Sequence, residues 1–146
     1  MVAIDSPGTT GNDIIIPGDG DDTLYGDPSI KKHGGNDLLS AMNDANTLYG
    51  DIFSISGDAR GGNDRLSATG DDNRLLGDAY SMHDHARGGN DRLTATGTYT
   101  GLRGDANEMS GDARGGNDRL AATGDSNHLY GDARPCLAMP AAAATD

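Results

Sequence analysis

A 27-residue repeat is the feature of this sequence that most restricts its fold. The tetrapeptide GGND occurs four times, a Gly-Asp pair recurs at five equivalent places, and four copies of each keep a spacing of 27 residues. A fixed period with glycine-rich corners and few apolar residues per copy is typical of a solenoid with stacked coils. We therefore predict an all-β parallel solenoid. The GGND copies begin at Gly34, Gly61, Gly88 and Gly115, and the Gly-Asp pairs at Gly26, Gly50, Gly77, Gly104 and Gly131.

Apolar residues hold fixed places in the repeat and indicate a narrow core. Segments such as Leu66-Ser67-Ala68 alternate, so Leu and Ala would face one way. Asn73 and Asn127 share a position, and inward Asn ladders would supply hydrogen bonds inside the stack. Twenty-seven residues are three nonamers, which fits either three strands per coil or two strands and a longer excursion. The apolar columns are Leu39, Leu66, Leu93 and Leu120; Leu48, Leu75, Leu102 and Leu129; and Ile55, Met82 and Met109.

The composition excludes several classes of protein. Leu, Ile, Val and Phe together number 21 of 146 residues, and the formal net charge is -12. So few large apolar side chains cannot build the thick core of an ordinary globular enzyme, whereas a solenoid needs only a few per coil. No apolar stretch approaches the length of a membrane span. The acid excess argues against nucleic acid or anionic lipid as a partner, because both need a basic surface.

The acid is almost entirely aspartate. Asp occurs 22 times and Glu once, at Glu108. Short carboxylates beside tight backbone turns cap N–H groups or reach a metal ion held by the same loop. Because these acids recur with the repeat and no catalytic constellation stands outside it, we expect structural metal ligands, no catalytic residue and no enzymatic activity.

Two nonamers near the N-terminus carry a family resemblance. Residues 8–16 read GTTGNDIII and residues 17–25 read PGDGDDTLY, and both fit x-G/T-x-G-x-D-x-U-x, where U is apolar. This pattern resembles the haemolysin-type calcium-binding nonapeptide of RTX proteins. The resemblance implies a right-handed parallel β-roll that holds several Ca²⁺ ions between coils through backbone carbonyls and aspartates. The implied ligands are Asp13, Asp22, Asp37, Asp64, Asp91 and Asp118.

The aspartates of the Gly-Asp pairs recur as faithfully, but two roles fit them equally well. They would either cap backbone N–H groups in a turn or ligate calcium. Asp58 and Asp112 lie six residues before the GGND aspartates of their copies and would complete such a site. The Gly-Asp column consists of Asp27, Asp51, Asp78, Asp105 and Asp132.

Three other columns offer alternatives to a purely calcium-binding module. Thr69, Thr96 and Thr123 stack, which suggests an ice-binding or other ligand-binding face. Arginines form two columns, at 60, 87 and 114 and at 65, 92 and 119. Their expected role is charge balance on the solvent face, and a stripe that binds a polyanion is the alternative.

The repeat divides the chain into three parts. We expect a lead-in over residues 1–7, the solenoid over 8–134 and a tail or cap over 135–146. The N-terminus shows no cleavable signal, which does not exclude export by a route that reads the other end of the chain. We therefore expect a secreted module, part of or derived from a larger RTX-type protein. The uncapped ends of the stack leave room for end-to-end self-association, and the single Cys136 permits no intrachain disulfide.

Overall fold

The chain winds through three parallel β-sheets in the computed structural model, which describes residues 5–17, 20–30, 32–132 and 134–135. Every strand pairing is parallel, which confirms the all-β parallel solenoid. The first sheet comprises β1 (Asp5–Pro7), β3 (Thr23–Tyr25), β5 (Thr47–Tyr49), β8 (Arg74–Leu76), β11 (Gly101–Arg103) and β14 (His128–Tyr130). The second comprises β13 (Arg119–Thr123), β10 (Arg92–Thr96), β7 (Arg65–Thr69), β4 (Leu38–Ala41) and β2 (Ile14–Ile15). The third comprises β15 (Arg134–Pro135), β12 (Ala106–Met109), β9 (Ala79–Met82) and β6 (Ser54–Ile55).

The coils lengthen along the chain, and the length decides how many strands each contains. Leu24 of β3 lies opposite Ser6 of β1, 18 residues earlier, and the described residues between them form only β2. Later coils repeat every 27 residues, as in the pairing of Leu66 with Leu93, and pass through all three sheets. The extra nonamer of the 27-residue repeat therefore adds a third strand to a two-strand coil, which settles the choice left open by the spacing.

The main core fills the space between the first and second sheets. Strand β7 alternates as predicted, with Leu66 and Ala68 buried and Ser67 half-buried on the other face. Fully burying a leucine contributes roughly 1.5–3 kcal/mol relative to leaving it exposed, so the leucine columns are the chief apolar contribution to stability. The buried members of this core are Ile15, Leu24, Leu39, Ala41, Leu48, Leu66, Ala68, Leu75, Leu93, Ala95 and Leu102.

The third sheet has a smaller apolar core of its own. Ile55 and Met82 lie opposite each other on β6 and β9, and Met82 lies opposite Met109 on β12, which confirms that column. Alanines complete the cluster, so this lobe is thin. Its buried members are Ile55, Ala59, Ala79, Met82, Ala86 and Ala106.

An Asn ladder closes the corner between the second and first sheets. The backbone N–H of Asn46 donates to Oδ1 of Asn73 at 2.8 Å, and Nδ2 of Asn73 donates to the carbonyl of Gly70 at 2.9 Å. The N–H of Thr100 donates to Oδ1 of Asn127 at 2.8 Å, so the ladder continues past the copy that lacks Asn. An amide both donates and accepts, which lets this corner stack without a charged partner.

At the N-terminal end, strand pairing begins before the boundary that the repeat indicates. Strand β1 lies within the segment 1–7, yet pairs in register with β3. The expected tail falls outside the described residues from position 136 onward. At the same end of the stack, the core side chain of Leu129 is 44% exposed. Across the part of the chain that the structure describes, no helix is long and apolar enough to cross a bilayer.

Candidate metal centre

Two columns of aspartates meet at the neck between the main core and the third lobe. Each Gly-Asp pair follows a strand of the first sheet, where the chain leaves for the third lobe. Each GGND turn precedes a strand of the second sheet, where the chain returns. Both columns therefore lie inside the solenoid, and seven of their carboxylates are at most 3% exposed. These seven are Asp27, Asp37, Asp51, Asp64, Asp78, Asp91 and Asp105.

The GGND aspartates bind one coil to the next through one oxygen each. The N–H of Asp37 donates to Oδ1 of Asp64 at 2.7 Å, and the N–H of Asp64 donates to Oδ1 of Asp91 at 2.7 Å. The second oxygen, Oδ2, of Asp37, Asp64 and Asp91 is buried and has no hydrogen-bond partner. A buried carboxylate oxygen without a partner costs stability, so this row needs a positive group that the hydrogen bonds do not supply.

The Gly-Asp aspartates make the turn-capping bond and also keep an oxygen without a hydrogen-bond partner, so neither role is excluded. Oδ1 of Asp78 accepts the N–H of Gly89 at 2.9 Å, as a turn-capping residue would. Its Oδ2 is buried without a hydrogen-bond partner. Asp51 accepts the N–H of Gly62 in the same way, with its two oxygens 3.2 and 3.1 Å from the nitrogen. Capping therefore leaves one oxygen of Asp78 for a second interaction.

The glycine of every Gly-Asp pair except the last, Gly131, forms a cradle with two oxygens of its surroundings. A Cβ built on Gly50 would collide with the carbonyl oxygen of Gly77 and with Oδ2 of Asp64. A Cβ on Gly77 would collide in the same way with the carbonyl of Gly104 and Oδ2 of Asp91. The cradle thus brings a neutral carbonyl and a carboxylate oxygen into one small space, which is the mixture of oxygens that Ca²⁺ prefers.

Aspartates from both columns come close enough to share an ion. One oxygen from each of Asp27, Asp37 and Asp51 lies within 4.8 Å of the others. The same holds for Asp105, Asp118 and Asp132 near the C-terminal end, where the group opens to solvent. Each group takes two carboxylates from successive Gly-Asp pairs and one from the GGND turn between them.

Burial and mutual repulsion raise the pKa values of the aspartates in the two columns. Burial raises the pKa of Asp91 to about 10, and the neighbouring carboxylates of Asp78 and Asp64 add to the effect. Burial likewise raises the pKa of Asp37 to about 6. For Asp51 and Asp78, burial and adjacent aspartates also raise the pKa. At neutral pH the column therefore requires either bound protons or a bound cation.

No basic side chain offsets this charge in the described ranges. The one ion pair there joins His85 Nε2 to Asp112 Oδ2 at 3.6 Å, and both side chains are largely exposed. Like charges stacked in an interior are stabilised only by pairing or by metal coordination. The donor set is all oxygen, with carboxylates and carbonyls, and fits a hard divalent cation such as Ca²⁺.

Four other predicted ligands are not among the seven buried carboxylates of the two columns. Asp13 stands at its N-terminal end, and its Oδ2 accepts the hydroxyl of Thr9 at 2.8 Å. Asp22 heads the Asn ladder instead, where its N–H donates to Oδ1 of Asn46. Asp58 and Asp112 are exposed on the turn that follows the third-sheet strand. The structure does not bring these last two beside the buried carboxylates.

The sequence interpretation expected backbone carbonyls in the site but did not identify which residues supply them. The carbonyls of Gly50, Gly77 and Gly104 face the preceding glycine cradles, beside the GGND carboxylates. The sequence did carry a signal for them, because the glycine recurs together with the aspartate in all five copies of the Gly-Asp column. Only the stacked coils show that this glycine is needed for the close approach of the next coil.

Comparison with known families agrees with this geometry. The family model for the RTX calcium-binding nonapeptide repeat matches four segments of the chain. Together these segments span more than half of the sequence. No curated protein and no solved structure matches the chain. The matched segments are residues 8–28, 33–52, 58–79 and 112–133.

Proposed function

Because the chain belongs to the RTX calcium-binding nonapeptide repeat family, we propose that it is a non-catalytic module whose solenoid forms when Ca²⁺ fills the buried carboxylate column. The observation that carries this proposal is the row of buried Oδ2 atoms without hydrogen-bond partners at the neck between the two cores. Those atoms belong to acids of both columns, and a divalent cation is the simplest group that neutralises them together.

Calcium and folding are one event in this proposal. The apolar cores are narrow, and ordering each residue costs roughly 1–2 kcal/mol of backbone entropy. Without a cation, the stacked carboxylates of the neck repel each other at the closest contact between coils. With several Ca²⁺ ions bound, the same oxygens hold the coils together, so the free energy of ion binding becomes free energy of folding.

The proposal extends to the setting of the module. We propose that it is secreted, as part of or derived from a larger RTX-type protein, by a route independent of a cleavable signal. Self-association end to end is the further partner that the fold suggests, and the 44% exposure of Leu129 in the last coil supports it. Sedimentation in Ca²⁺ over a range of protein concentrations tests this point.

The threonine column supports the alternative function less well. Thr96 lies in register with Thr69 and Thr123, and the Thr123 hydroxyl donates to Oγ1 of Thr96 at 3.3 Å. The column is one residue wide, and in the first copy the corresponding Met42 is 71% exposed. A face of this kind offers ice or another flat ligand only a single row of hydroxyls.

The proposal is tested by comparing the chain in excess chelator, in millimolar Ca²⁺ and in millimolar Mg²⁺. Flexible all-oxygen sites prefer Ca²⁺, since Mg²⁺ demands a tight octahedron and keeps its waters. Far-ultraviolet circular dichroism and hydrodynamic radius should report an expanded chain in chelator and a compact β-rich chain in Ca²⁺ alone. A compact β-rich chain in excess chelator, or equal compaction by both ions, would contradict the proposal.

A further inference from the structure

Five turns share the sequence Gly-Asn-Asp, and the residue that follows the aspartate changes character along the chain. It is Ile14 after Asp13 and Leu38 after Asp37, and it is arginine after each of the other three turns. These residues form one column of the second sheet, because Ile14 lies opposite Leu38 and Leu38 lies opposite Arg65. The arginines of the column are Arg65, Arg92 and Arg119, and all three are exposed.

An open groove runs along these turns and is lined by the arginines together with the aspartates. Its volume is about 1000 Å³, and Arg92 lines it beside Asp91, the residue directly before it. Asp64 and Asp91 are each 2% exposed, and bonds from the backbone of the preceding coil hold their carboxylates in the neck. In these middle coils each arginine therefore places a positive charge on the solvent side of a turn whose carboxylate is buried.

The arginines do not neutralise the neck by contact. Arg65, Arg92 and Arg119 form no ion pair with any described residue. Oδ2 of Asp64 and Oδ2 of Asp91 accept no hydrogen bond, so neither atom is paired with the guanidinium group beside it. These arginines therefore act on the neck only through space. The other arginine column, at 60, 87 and 114, differs because exposed aspartates stand two residues before its first and last members.

We propose that the residue after each Gly-Asn-Asp turn sets the calcium affinity of that turn, so that arginine weakens Ca²⁺ binding and an apolar residue leaves it strong. The inference rests on the proposed function, because it concerns calcium held by the same aspartates. A divalent ion entering the neck would meet the repulsion of the nearest guanidinium groups. A unit charge about 8 Å from a divalent ion changes its binding constant by about twofold at physiological ionic strength.

The same arginines would favour the calcium-free neck. Without a bound cation the stacked carboxylates are uncompensated, and a positive charge at the groove attracts them. With Ca²⁺ bound the carboxylates are neutralised, and the arginines are left to repel the ion and one another across the coil spacing of about 4.8 Å. Both effects lower calcium affinity, and arginine keeps its charge throughout the physiological pH range.

The chain contains both versions of the turn within otherwise similar groups of aspartates. Each group has one aspartate from a GGND turn and two from successive Gly-Asp pairs. In the first group the GGND aspartate precedes Leu38, and in the second it precedes Arg119. Exchanging only the residue after the turn therefore isolates its contribution. The two groups are Asp27, Asp37 and Asp51, and Asp105, Asp118 and Asp132.

The test is a calcium titration of the full chain, followed by circular dichroism. The triple variant Arg65→Gln, Arg92→Gln, Arg119→Gln should lower the Ca²⁺ concentration at the folding midpoint by about twofold. The matched triple substitution of the same arginines by lysine keeps the charges and should leave the midpoint near that of the parent chain. Since the effect is electrostatic, the difference between the glutamine variant and the parent should shrink as ionic strength rises from about 0.1 M to about 1 M.

The opposite change extends the column to all five turns. Ile14 and Leu38 are 73% and 37% exposed, so Ile14→Arg with Leu38→Arg removes no core side chain, and it should raise the midpoint by about twofold. The control, Thr69→Lys with Thr96→Lys, adds the same charge at the other end of neighbouring strands. Those positions lie four residues beyond the arginines, about 13 Å away and outside the screening length of about 8 Å. The midpoint of the control should stay near that of the parent.

A lower midpoint in the glutamine variant and a higher one in the arginine variant, with both controls near the parent, supports the proposal. An unchanged or higher midpoint in the glutamine variant would overturn it. An equal shift in the lysine variant would also overturn it, since the charge is then not the cause, as would an equal shift in the Thr69→Lys, Thr96→Lys control. A parent chain that does not fold in Ca²⁺ would instead overturn the proposed function.

Discussion

The backbone N–H of Asp64 donates to Oδ1 of Asp91, 27 residues further along the chain, at 2.7 Å. This bond joins the GGND aspartate of one coil to that of the next, while Oδ2 of both residues stays buried without a hydrogen-bond partner. The same carboxylate therefore sets the register of the coils and presents a charge to the neck. If the neck binds calcium as proposed, stacking and cation binding are coupled through one side chain.

Replacing Asp91 by Asn separates these two roles. The amide oxygen of Asn can still accept the Asp64 N–H, but the charge is lost and an NH₂ group takes the place of one oxygen. We expect Asp91→Asn to raise the Ca²⁺ concentration at the folding midpoint by about tenfold, equivalent to about 1.4 kcal/mol. Calcium titration followed by circular dichroism measures this shift.

Asp71→Asn is the matched control for that experiment. Oδ1 of Asp71 accepts the N–H of Thr98 at 2.7 Å, so it makes the same kind of bond between coils. Asp71 is exposed at the opposite corner and is not part of the neck. The calcium midpoint of Asp71→Asn should stay near that of the parent chain. Equal shifts in Asp71→Asn and Asp91→Asn would show that the loss of a bond between coils, and not of a calcium ligand, causes the shift.

Asp78→Asn tests the second column. A purely turn-capping aspartate would tolerate this change, because Asn caps backbone N–H groups about as well. Asp78 is fully buried and has a second oxygen without a hydrogen-bond partner, so we expect a rise in the calcium midpoint similar to that of Asp91→Asn. An unchanged calcium midpoint would show that the aspartates of the Gly-Asp column only cap turns and do not ligate calcium.

Gly77→Ala tests the close approach of successive coils. Its Cβ would collide with the carbonyl oxygen of Gly104, a backbone atom that cannot turn away. We expect destabilisation of at least about 2 kcal/mol in saturating Ca²⁺, measured by thermal unfolding. Gly131→Ala is the control, since nothing lies within 4 Å of a Cβ at that equivalent position in the last coil. Similar losses in both variants would show that the cradle is not the cause.

The pH dependence of the calcium-free chain follows from the buried carboxylates. Burial raises the pKa of folded Asp91 to about 10 and of folded Asp37 to about 6, while both have ordinary values when unfolded. The folded state therefore holds more protons above about pH 4, and the free energy of unfolding falls as pH rises from there through the folded pKa values. In chelator, circular dichroism should show more β-structure near pH 4 than near pH 8.

Saturating Ca²⁺ should reverse that dependence. Protons then compete with the cation for the same oxygens, so the free energy of unfolding should rise with pH over the same range. Thermal unfolding at several pH values, with and without calcium, gives both slopes. Slopes of the same sign in the two conditions would contradict a shared site for protons and calcium.

Much of the fold is predictable here because the copies of the repeat can be aligned with one another within the single chain. The leucine columns and the Ile55–Met82 column follow from spacing alone, since a side chain that recurs once per coil stacks on its own copies. Whether a coil has two strands or three does not follow, because nine residues suffice for either a strand or a loop. That choice depends on a thin lobe held by alanines such as Ala79 and Ala106.

The depth of the site also depends on that third strand. The sequence predicts that the GGND aspartates would lie in turns, and in a two-strand coil such turns stand at the edge. Here the chain leaves the first sheet at Asp78, forms the third-sheet strand and returns to the second sheet at Asp91. The turn is therefore enclosed in the neck between the two cores. The resemblance identifies the residue types, whereas packing decides that they are buried.

The position of the ions tests the account most directly. Anomalous scattering from crystals of the chain grown in Ca²⁺ would locate each ion without reference to any variant. The account predicts a row of calcium peaks inside the neck, one coil apart, between the Gly-Asp and GGND aspartates of the groups that include Asp51 and Asp105. Calcium peaks only at exposed turns such as that of Asp71, with none in the neck, would contradict it.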